Sequence, residues 1–286
     1  MADRTYSFSV GTCQCTPVND GYFSYPAAWM FANVSREDRE KRLRAYGART
    51  DEIATDYTCL LVSTGKNKVL IDTGAGKMAP STGELLVNLE KAGARRGDID
   101  TVILTHAHPD HVGGAVDAEG KPAFPNARYV IWKDEWEFWT SDAPDLSALP
   151  LPEEVKTGLL IGTARRCLLA LRKQVEIVEK EAEVVPGIYL LPARGHTPGH
   201  AAVVISSGEE AVLHIADAVL HPLLMEQPAW RTVFDLRPEQ AAGTRQRLLD
   251  RAATDKTMVM AYHFPFPTLG KVISRPTGGW KWEAAA

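Results

Sequence analysis

A layered α/β fold is the class this sequence predicts, on three observations. Short apolar runs of strand length alternate with amphipathic helical segments, an order that packs sheets under helices rather than closing an all-β structure. That succession passes along the chain twice, which suits two similar halves packed as one domain over residues 1–286. Finally, the scattered His and Asp residues able to hold a metal each fall just past a predicted strand end. Loops after strand ends gather at one rim of a layered α/β structure, where sites form.

In chain order, a strand is predicted over Tyr6 to Val10, then an aromatic-rich loop, Asp20 to Phe31. Ser35 caps a short exposed helix ending near Tyr46, with acids early and bases late as the helix dipole favours. Residues 1–56 thus read as a strand, an aromatic loop and a short helix ahead of the main body. Two apolar runs, Tyr57 to Ser63 and Lys68 to Ile71, flank a polar TGKN turn and form a β-hairpin that delivers Asp72 to a strand end. Ser81 to Ala92 puts Leu85, Leu86 and Leu89 on an amphipathic helix stopped by Gly93.

Ala127 to Trp132 reads as a strand and Lys133 to Trp139 as a Trp-rich helical turn. Ser141 to Pro152 is polar and Pro-rich, the composition of a loop or the hinge of a lid, and Glu153 to Leu171 is a helix with an apolar face. Residues 141–185 together read as a helical lid insertion. Strands follow at Ile188 to Leu191, Ala201 to Ser206 and Ala211 to Ile215. A helix, Pro238 to Ala253, then precedes a last strand, Met258 to Ala261.

Composition narrows the function classes. The 286 residues, 45% hydrophobic and 24% charged, describe an ordinary globular chain with material for a substantial core. A net charge of -4 and a pI near 6.1 leave no basic footprint for nucleic acid. No run of 18 or more apolar residues is present and MADRTYSFSV lacks a signal peptide's apolar stretch, so the expected location is cytoplasmic, away from membranes. The four cysteines make no disulfide framework, and Cys13 and Cys15 read as small half-buried residues.

Chemistry concentrates in Thr101 to Gly114, TVILTHAHPDHVGG, where a strand through Val102 and Leu104 runs into His106, His108, Asp110 and His111. An isolated histidine is usually a satisfied hydrogen-bonder; three beside an aspartate would crowd one another with unpaired polar atoms unless a cation sat among them. Imidazoles and carboxylates suit zinc first, with Mn, Fe and Co also accommodated. The strands ending near Leu191, Ile215 and Ala261 lead into His196, Asp217 and His263.

These elements, HxHxDH at His106 to His111, GHTPGH from His196 to His200 preceded by Gly195, Asp217 and His263, with Leu-Ile-Asp-Thr-Gly at Leu70 to Gly74, resemble the metallo-β-lactamase superfamily over about Tyr57 to Gly270. Asp20 to Phe23 (DGYF) and Ala261 to Gly270 (AYHFPFPTLG) look most like the branch of methyl parathion hydrolase-like phosphotriesterases and N-acyl-homoserine lactone lactonases. The resemblance implies an αββα sandwich, two mixed β-sheets flanked by helices, with a dinuclear metal site at one edge. By it, His106, His108 and His196 hold one divalent ion, Asp110, His111 and His263 a second, and Asp217 bridges them.

The implied activity is hydrolysis by a hydroxide shared between the ions, with Asp217 and Asp110 as catalytic residues, Asp110 orienting the nucleophile or carrying its proton. Asp72 is expected either to orient a ligating imidazole or to form the turn before Gly74. His200 and His214 are expected to be structural hydrogen-bonders. For the substrate wall the candidates are Trp29, Leu220, His221, Phe264 and Phe266, with Phe23, Tyr25, Trp136, Phe138 and Trp139 as further aromatics.

An apolar wall suits a small neutral aryl ester, lactone or phosphotriester. Leu220 stands where lactonases of the superfamily usually carry a Tyr, which places the phosphotriesterase or esterase reading ahead of the N-acyl-homoserine lactone lactonase. A glutathione-thioester hydrolase needs a C-terminal helical part, for which the residues after Leu269 are too few, and a tRNA nuclease needs a basic arm. A catalytically silent metal-binding or ligand-sensing module is the remaining alternative, and a homodimer through the aromatic N-terminal segment is a possible assembly.

Overall fold

The computed structural model describes residues 6–285. Fourteen strands in the described residues form two sheets of seven. The first takes β1 (Phe8–Val10), β2 (Cys13–Pro26), β3 (Glu52–Ser63), β4 (Lys68–Ile71), β5 (Thr101–Ile103), β6 (Arg128–Trp132) and β7 (Val175–Val178) in that order. The second runs β14 (Trp280–Ala284), β13 (Leu269–Ser274), β12 (Met258–Met260), β11 (Glu210–His214), β10 (Ala201–Ser207), β9 (Ile188–Pro192) and β8 (Ala182–Val185). Each sheet is mixed: β4 to β7 pair in parallel and β11 pairs β12 in parallel, while the outer pairs are antiparallel.

The helices between them are α1 (Ala27–Met30), α2 (Arg36–Tyr46), α3 (Leu85–Lys91), α4 (Pro109–Val112), α5 (Lys133–Thr140), α6 (Gly162–Leu171), α7 (Pro222–Glu226) and α8 (Pro238–Asp255). Strand alternation explains the layering. In β3, Leu60 and Val62 join the core between the sheets, whereas Cys59 and Leu61 join the core under the helices. The same split divides Val69 and Ile71 from Leu70, and Val130 and Trp132 from Tyr129 and Ile131. Buried on both faces, these strands read as continuous apolar runs.

The second sheet does the same. Val203 and Ile205 of β10 face the inter-sheet core, while Leu213, Val259 and Leu249 pack in the core under α7 and α8. The order is therefore helix, sheet, sheet, helix, the αββα sandwich that the resemblance implied.

Several elements differ from expectation. The aromatic stretch is not a loop: β2 continues to Pro26, paired with β3 in register from Tyr25↔Ile53 to Gln14↔Ser63 across a bulge at Asn19 and Gly21. Gly21, at φ +131°, lies so close to Ser81 that a Cβ would stand 2.0 Å from the Ser81 carbonyl oxygen. The glycine marks the bulge by which β2 passes Ser81. The helix expected from Ser81 begins only at Leu85, because Thr82 bridges to Gly21 and the Asp20 carboxylate accepts from the Leu85 N–H at 2.9 Å.

Residues 153–171 are helical as expected, with a π-helical stretch over Val155–Ile161 before α6. The end of the supposed insertion is β7 and β8, each completing the edge of a different sheet, and the short C-terminal segment forms β13 and β14. All four cysteines are free and buried. Among the described residues no helix is long and apolar enough to cross a membrane.

Candidate metal centre

Strand ends from both sheets deliver the donors to one rim. His106 follows β5, and His108 adopts an extended backbone (φ -64°, ψ 152°) as the N-cap of α4, whose first residue is Pro109. The Pro at N1 ends the strand and starts the helix at once, turning Asp110 and His111 back toward His106. From the second sheet come His196 after β9, Asp217 in a 3₁₀ turn after β11, and His263 after β12. All seven are buried, the most exposed, Asp110, at 8%.

Two donor groups result: His106, His108, His196 and Asp217 in one, Asp110, His111 and His263 in the other, with the donor atoms of each within 4.8 Å of one another. His108 Nδ1 lies 3.1 Å from His106 Nε2 and 2.9 Å from His196 Nε2, and Asp217 Oδ2 is 3.3 Å from His196 Nε2 and 3.7 Å from His106 Nε2. Asp110 Oδ2 is 3.4 Å from His263 Nε2 and 3.9 Å from His111 Nε2. Asp217 faces both groups, its Oδ1 3.1 Å from His111 Nε2 and its Oδ2 3.2 Å from His263 Nε2.

The donors fit a divalent cation. Zinc–nitrogen bonds of about 2.0–2.1 Å put the corners of a tetrahedron roughly 3.3–3.4 Å apart, and the spacings in the first group, 2.9 to 3.7 Å, bracket that value. His111 Nε2 and Asp217 Oδ1 are buried against each other, and neither has any further hydrogen-bond partner among the described residues. A cation would satisfy both.

Ring tautomers are set from behind. His111 Nδ1 donates to Asp72 at 2.8 Å, His196 Nδ1 to Asp235 at 2.9 Å and His263 Nδ1 to the Asp56 carbonyl at 3.1 Å. Thr105 Oγ1 donates to Asp72 at 2.8 Å and so accepts from His106 Nδ1 at 3.1 Å. In all four rings the Nε2 lone pair is left for the centre. Asp72 fills both expected roles, holding His111 while turning the chain at φ +60°.

Burial and the repulsion of neighbouring imidazoles hold His106 and His108 well below the usual histidine range. Burial also opposes charge on His196 and His111. At His196 the carboxylates of Asp217 and Asp235 prevail and raise it to about 9; at His111 those of Asp217, Asp72 and Asp110 hold it well above its ordinary value. The negative potential of these carboxylates also attracts a cation, which would stand where an Nε2 proton otherwise would.

Sequence reasoning missed two carboxylates of this frame. Buried Glu135 on α5 accepts from the Ala107 N–H at 2.9 Å, Gly199 N–H at 2.9 Å, Thr197 Oγ1 at 2.6 Å and Trp139 Nε1 at 2.7 Å, tying together the loops that carry His106, His108 and His196. Asp235 orients His196 and lies 3.7 Å from the buried Arg245 guanidinium. Neither sits in a motif. The loop groups that Glu135 ties are 28 to 64 residues away, only Trp139 being near it in sequence, and the Asp235–His196 bond spans 39, so no local pattern marks them.

His200 is structural as expected, with Nδ1 donating to the Ala193 carbonyl at 2.9 Å and Nε2 accepting from the Asp217 N–H at 3.1 Å. His214 is not: both ring nitrogens are buried without a hydrogen-bond partner among the described residues.

A cavity of about 320 Å³ opens on the donor groups, walled by Phe23, Tyr25, Trp29, Met78, Leu160 and Phe234 among others, with no Lys, Arg or Glu in its lining. Of the expected wall, Trp29 and Leu220 line this cavity; His221, Phe264 and Phe266 do not. Phe264 is fully buried against Trp282, rings 4.9 Å apart. His221 instead caps α7, its Nδ1 accepting from the Leu223 N–H at 3.1 Å between the rings of Phe31 and Tyr46. Phe266 gives its backbone N–H to Asp56 at 3.1 Å.

Fold and donor set together define a metal-dependent hydrolase of the αββα class. The chain belongs to the Metallo-beta-lactamase superfamily, whose family model matches residues 54–263. It is 27% identical over 226 residues to the N-acyl homoserine lactonase AiiA of Bacillus thuringiensis subsp. kurstaki, covering 72% of this chain and 80% of that one. A probable metallo-hydrolase of Mycobacterium tuberculosis is 26% identical over 233 residues, 68% of this chain and 67% of that one.

Among solved structures, the dizinc quorum-quenching lactonase AidC in complex with its product N-hexanoyl-L-homoserine superposes with a TM-score of 0.92 at 28% identity, over 99% of this chain and 97% of that one. The hydrolase AbOPH of the beta lactamase superfamily reaches 0.89 at 26% identity, over 100% and 99%.

Proposed function

We propose that this chain is a two-metal hydrolase of small neutral lactones bearing an apolar tail, N-acyl homoserine lactones foremost, and that its ions are zinc. One observation carries the reading: the donor groups form the floor of an apolar cavity with no Lys or Arg in its wall. A carboxylate-bearing substrate, such as a β-lactam or a glutathione thioester, would find no counter-charge there beyond the cations, whereas a neutral lactone loses little on desolvation. The likeness to lactonases supports the same choice over the organophosphate and aryl ester readings.

His106, His108 and His196 would hold one ion and Asp110, His111 and His263 the other, with Asp217 between them. When bound, such a pair supplies ionised water near neutral pH and a Lewis acid for the substrate carbonyl. The chain's own part is positional. Asp72, Asp235 and Thr105 keep the imidazoles turned, and Tyr262 holds the Asp110 backbone carbonyl at 2.6 Å, so that Asp110 is placed to orient water or return a proton to the leaving alkoxide. Val155, Leu159 and Leu160, from the π-helical stretch, close one side of the cavity, which supports reading residues 141–171 as the lid of a single 286-residue domain.

The test is turnover by metal-replete protein on a panel of hexanoyl and decanoyl homoserine lactones, aryl acetates and neutral phosphotriesters. A kcat/KM for the lactones at least tenfold above the other classes is expected. Preference for the phosphotriester would restore the organophosphate reading. Turnover of none, with two metals bound, would leave a silent binding module.

A further inference from the structure

We infer that the Tyr25 hydroxyl is a catalytic hydrogen-bond donor, aimed at the oxygen that takes up negative charge as the ester carbonyl is attacked. The inference rests on the cavity being the substrate site. Apart from the metal donors, three residues of its lining carry a side-chain donor: Tyr25, Thr55 and Trp29. Thr55 spends its hydroxyl on the Phe23 carbonyl at 3.2 Å. Trp29 meets the aromatic wall through Phe234 at 6.1 Å, and among the described residues no ring contact or hydrogen bond ties its indole to the metal donors.

Tyr25 is placed otherwise. Its hydroxyl lies 2.5 Å from that of Tyr57, whose ring stands edge-on to His263 at 5.4 Å. The ring of Tyr25 is wedged between Phe23, at 5.0 Å, and Phe234, at 5.3 Å, so the phenol is pre-positioned.

Counting protons gives its direction. Tyr57 is fully buried, and Tyr25 is the hydrogen-bond partner of its hydroxyl among the described residues. A buried donor left unpaired costs about 1–3 kcal/mol, more than an unused acceptor lone pair, so Tyr57 donates and Tyr25 accepts. The Tyr25 proton is then uncommitted on a half-buried side chain that lines the cavity. Water adds to the carbonyl carbon, the C=O pair moves to oxygen, and Tyr25 hydrogen-bonds that oxyanion without giving up its proton. Collapse breaks the ring C–O bond, and the alkoxide takes a proton that came from the water.

The experiment compares wild type, Tyr25→Phe and Tyr57→Phe on N-hexanoyl homoserine lactone, with metal content measured on the same samples. Tyr25→Phe is expected to keep two metals and a KM within about threefold while kcat falls roughly 10²-fold, the loss typical of one oxyanion donor. Tyr57→Phe, which leaves the Tyr25 proton in place, should lose less than about fivefold. If Tyr25→Phe does not fold, 4-fluorophenylalanine at position 25, which fills the place of the ring and has no proton to give, carries the same expectation. An unchanged kcat in the metal-replete variant overturns the inference while the lactonase reading stands, and so does a loss that merely tracks missing metal. Absence of wild-type turnover overturns both.

Discussion

At Asp217 a single carboxylate faces imidazoles from two donor groups and has one oxygen with no other hydrogen-bond partner among the described residues, which makes it the residue the site can least do without. Asp217→Ala and His106→Ala are each expected to abolish hydrolysis and lower bound metal below two per chain, read by elemental analysis alongside lactone turnover. Normal turnover in either would remove the two-metal mechanism. His221 offers a test away from the centre. Burial depresses it to about 4 from an ordinary 6.5, and its Nδ1 lone pair is committed to the Leu223 N–H. Between those two values the unfolded chain binds a proton that the folded chain refuses, so this contribution to stability is complete above pH 6.5 and lost as pH falls toward 4. It amounts to about 3 kcal/mol at most, from 1.36 kcal/mol per unit. Denaturant melts at pH 7 and 4.5 should show a smaller pH-dependent loss in His221→Asn, whose side-chain oxygen can keep the cap without titrating; an equal loss would contradict the assignment.

Elements act here as carriers of geometry. Helix α5 contributes no donor to the metals, yet its Glu135 pins the two loops that do, and burial raises its carboxyl despite four hydrogen bonds. Glu135→Ala is expected to destabilise by about 3 kcal/mol or more, since orphaned buried donors cost about 1–3 kcal/mol each before water re-enters. It should also weaken metal binding roughly 10- to 100-fold, as loss of such supports does. Thermal melts and competition with a chelator measure the two effects. The π-helical stretch is the counterpart on the substrate side, widening the helix where Leu159 and Leu160 reach the cavity. Leu160→Trp should fill that wall and raise KM for decanoyl homoserine lactone at least tenfold while leaving an aryl acetate within about threefold. Equal effects on both substrates would mean that this helix does not bound the tail.

Over the whole molecule, the donors stitch two half-structures. His106, His108, Asp110 and His111 belong to the first sheet's loops, while His196, Asp217 and His263 belong to the second's. Bound cations therefore oppose separation of the sheets, and ligand bound to the folded state adds stability by mass action. Chelation is expected to lower the unfolding temperature of wild type by several degrees and to leave that of Asp217→Ala nearly unchanged. The same drop in both would show that the metals stabilise something other than this junction.

How much could be read beforehand follows from the range of each interaction. The HxHxDH run was legible because four ligands lie within six residues and a strand with a Pro-started helix fans them locally. His196, Asp217 and His263 were legible because each follows a strand end, and strand ends share a rim. The short strands β7, β8 and β14 were not, since edge strands bury little and leave a weak alternation, nor was the six-residue β13 beside β14. Nor was β2, whose aromatic end reads as a loop until its pairing with β3 and the contact of Gly21 with Ser81 are seen. By itself, then, the sequence determined the layered fold and the residues able to hold a metal, through periodicity, close spacing and position after strand ends. Tertiary structure alone decided that Glu135 and Asp235 brace the centre and that Leu160 walls the cavity while His221 and Phe264 do not. Those depend on contacts between residues tens to hundreds of positions apart, which only the packing of two sheets brings within a hydrogen bond's length.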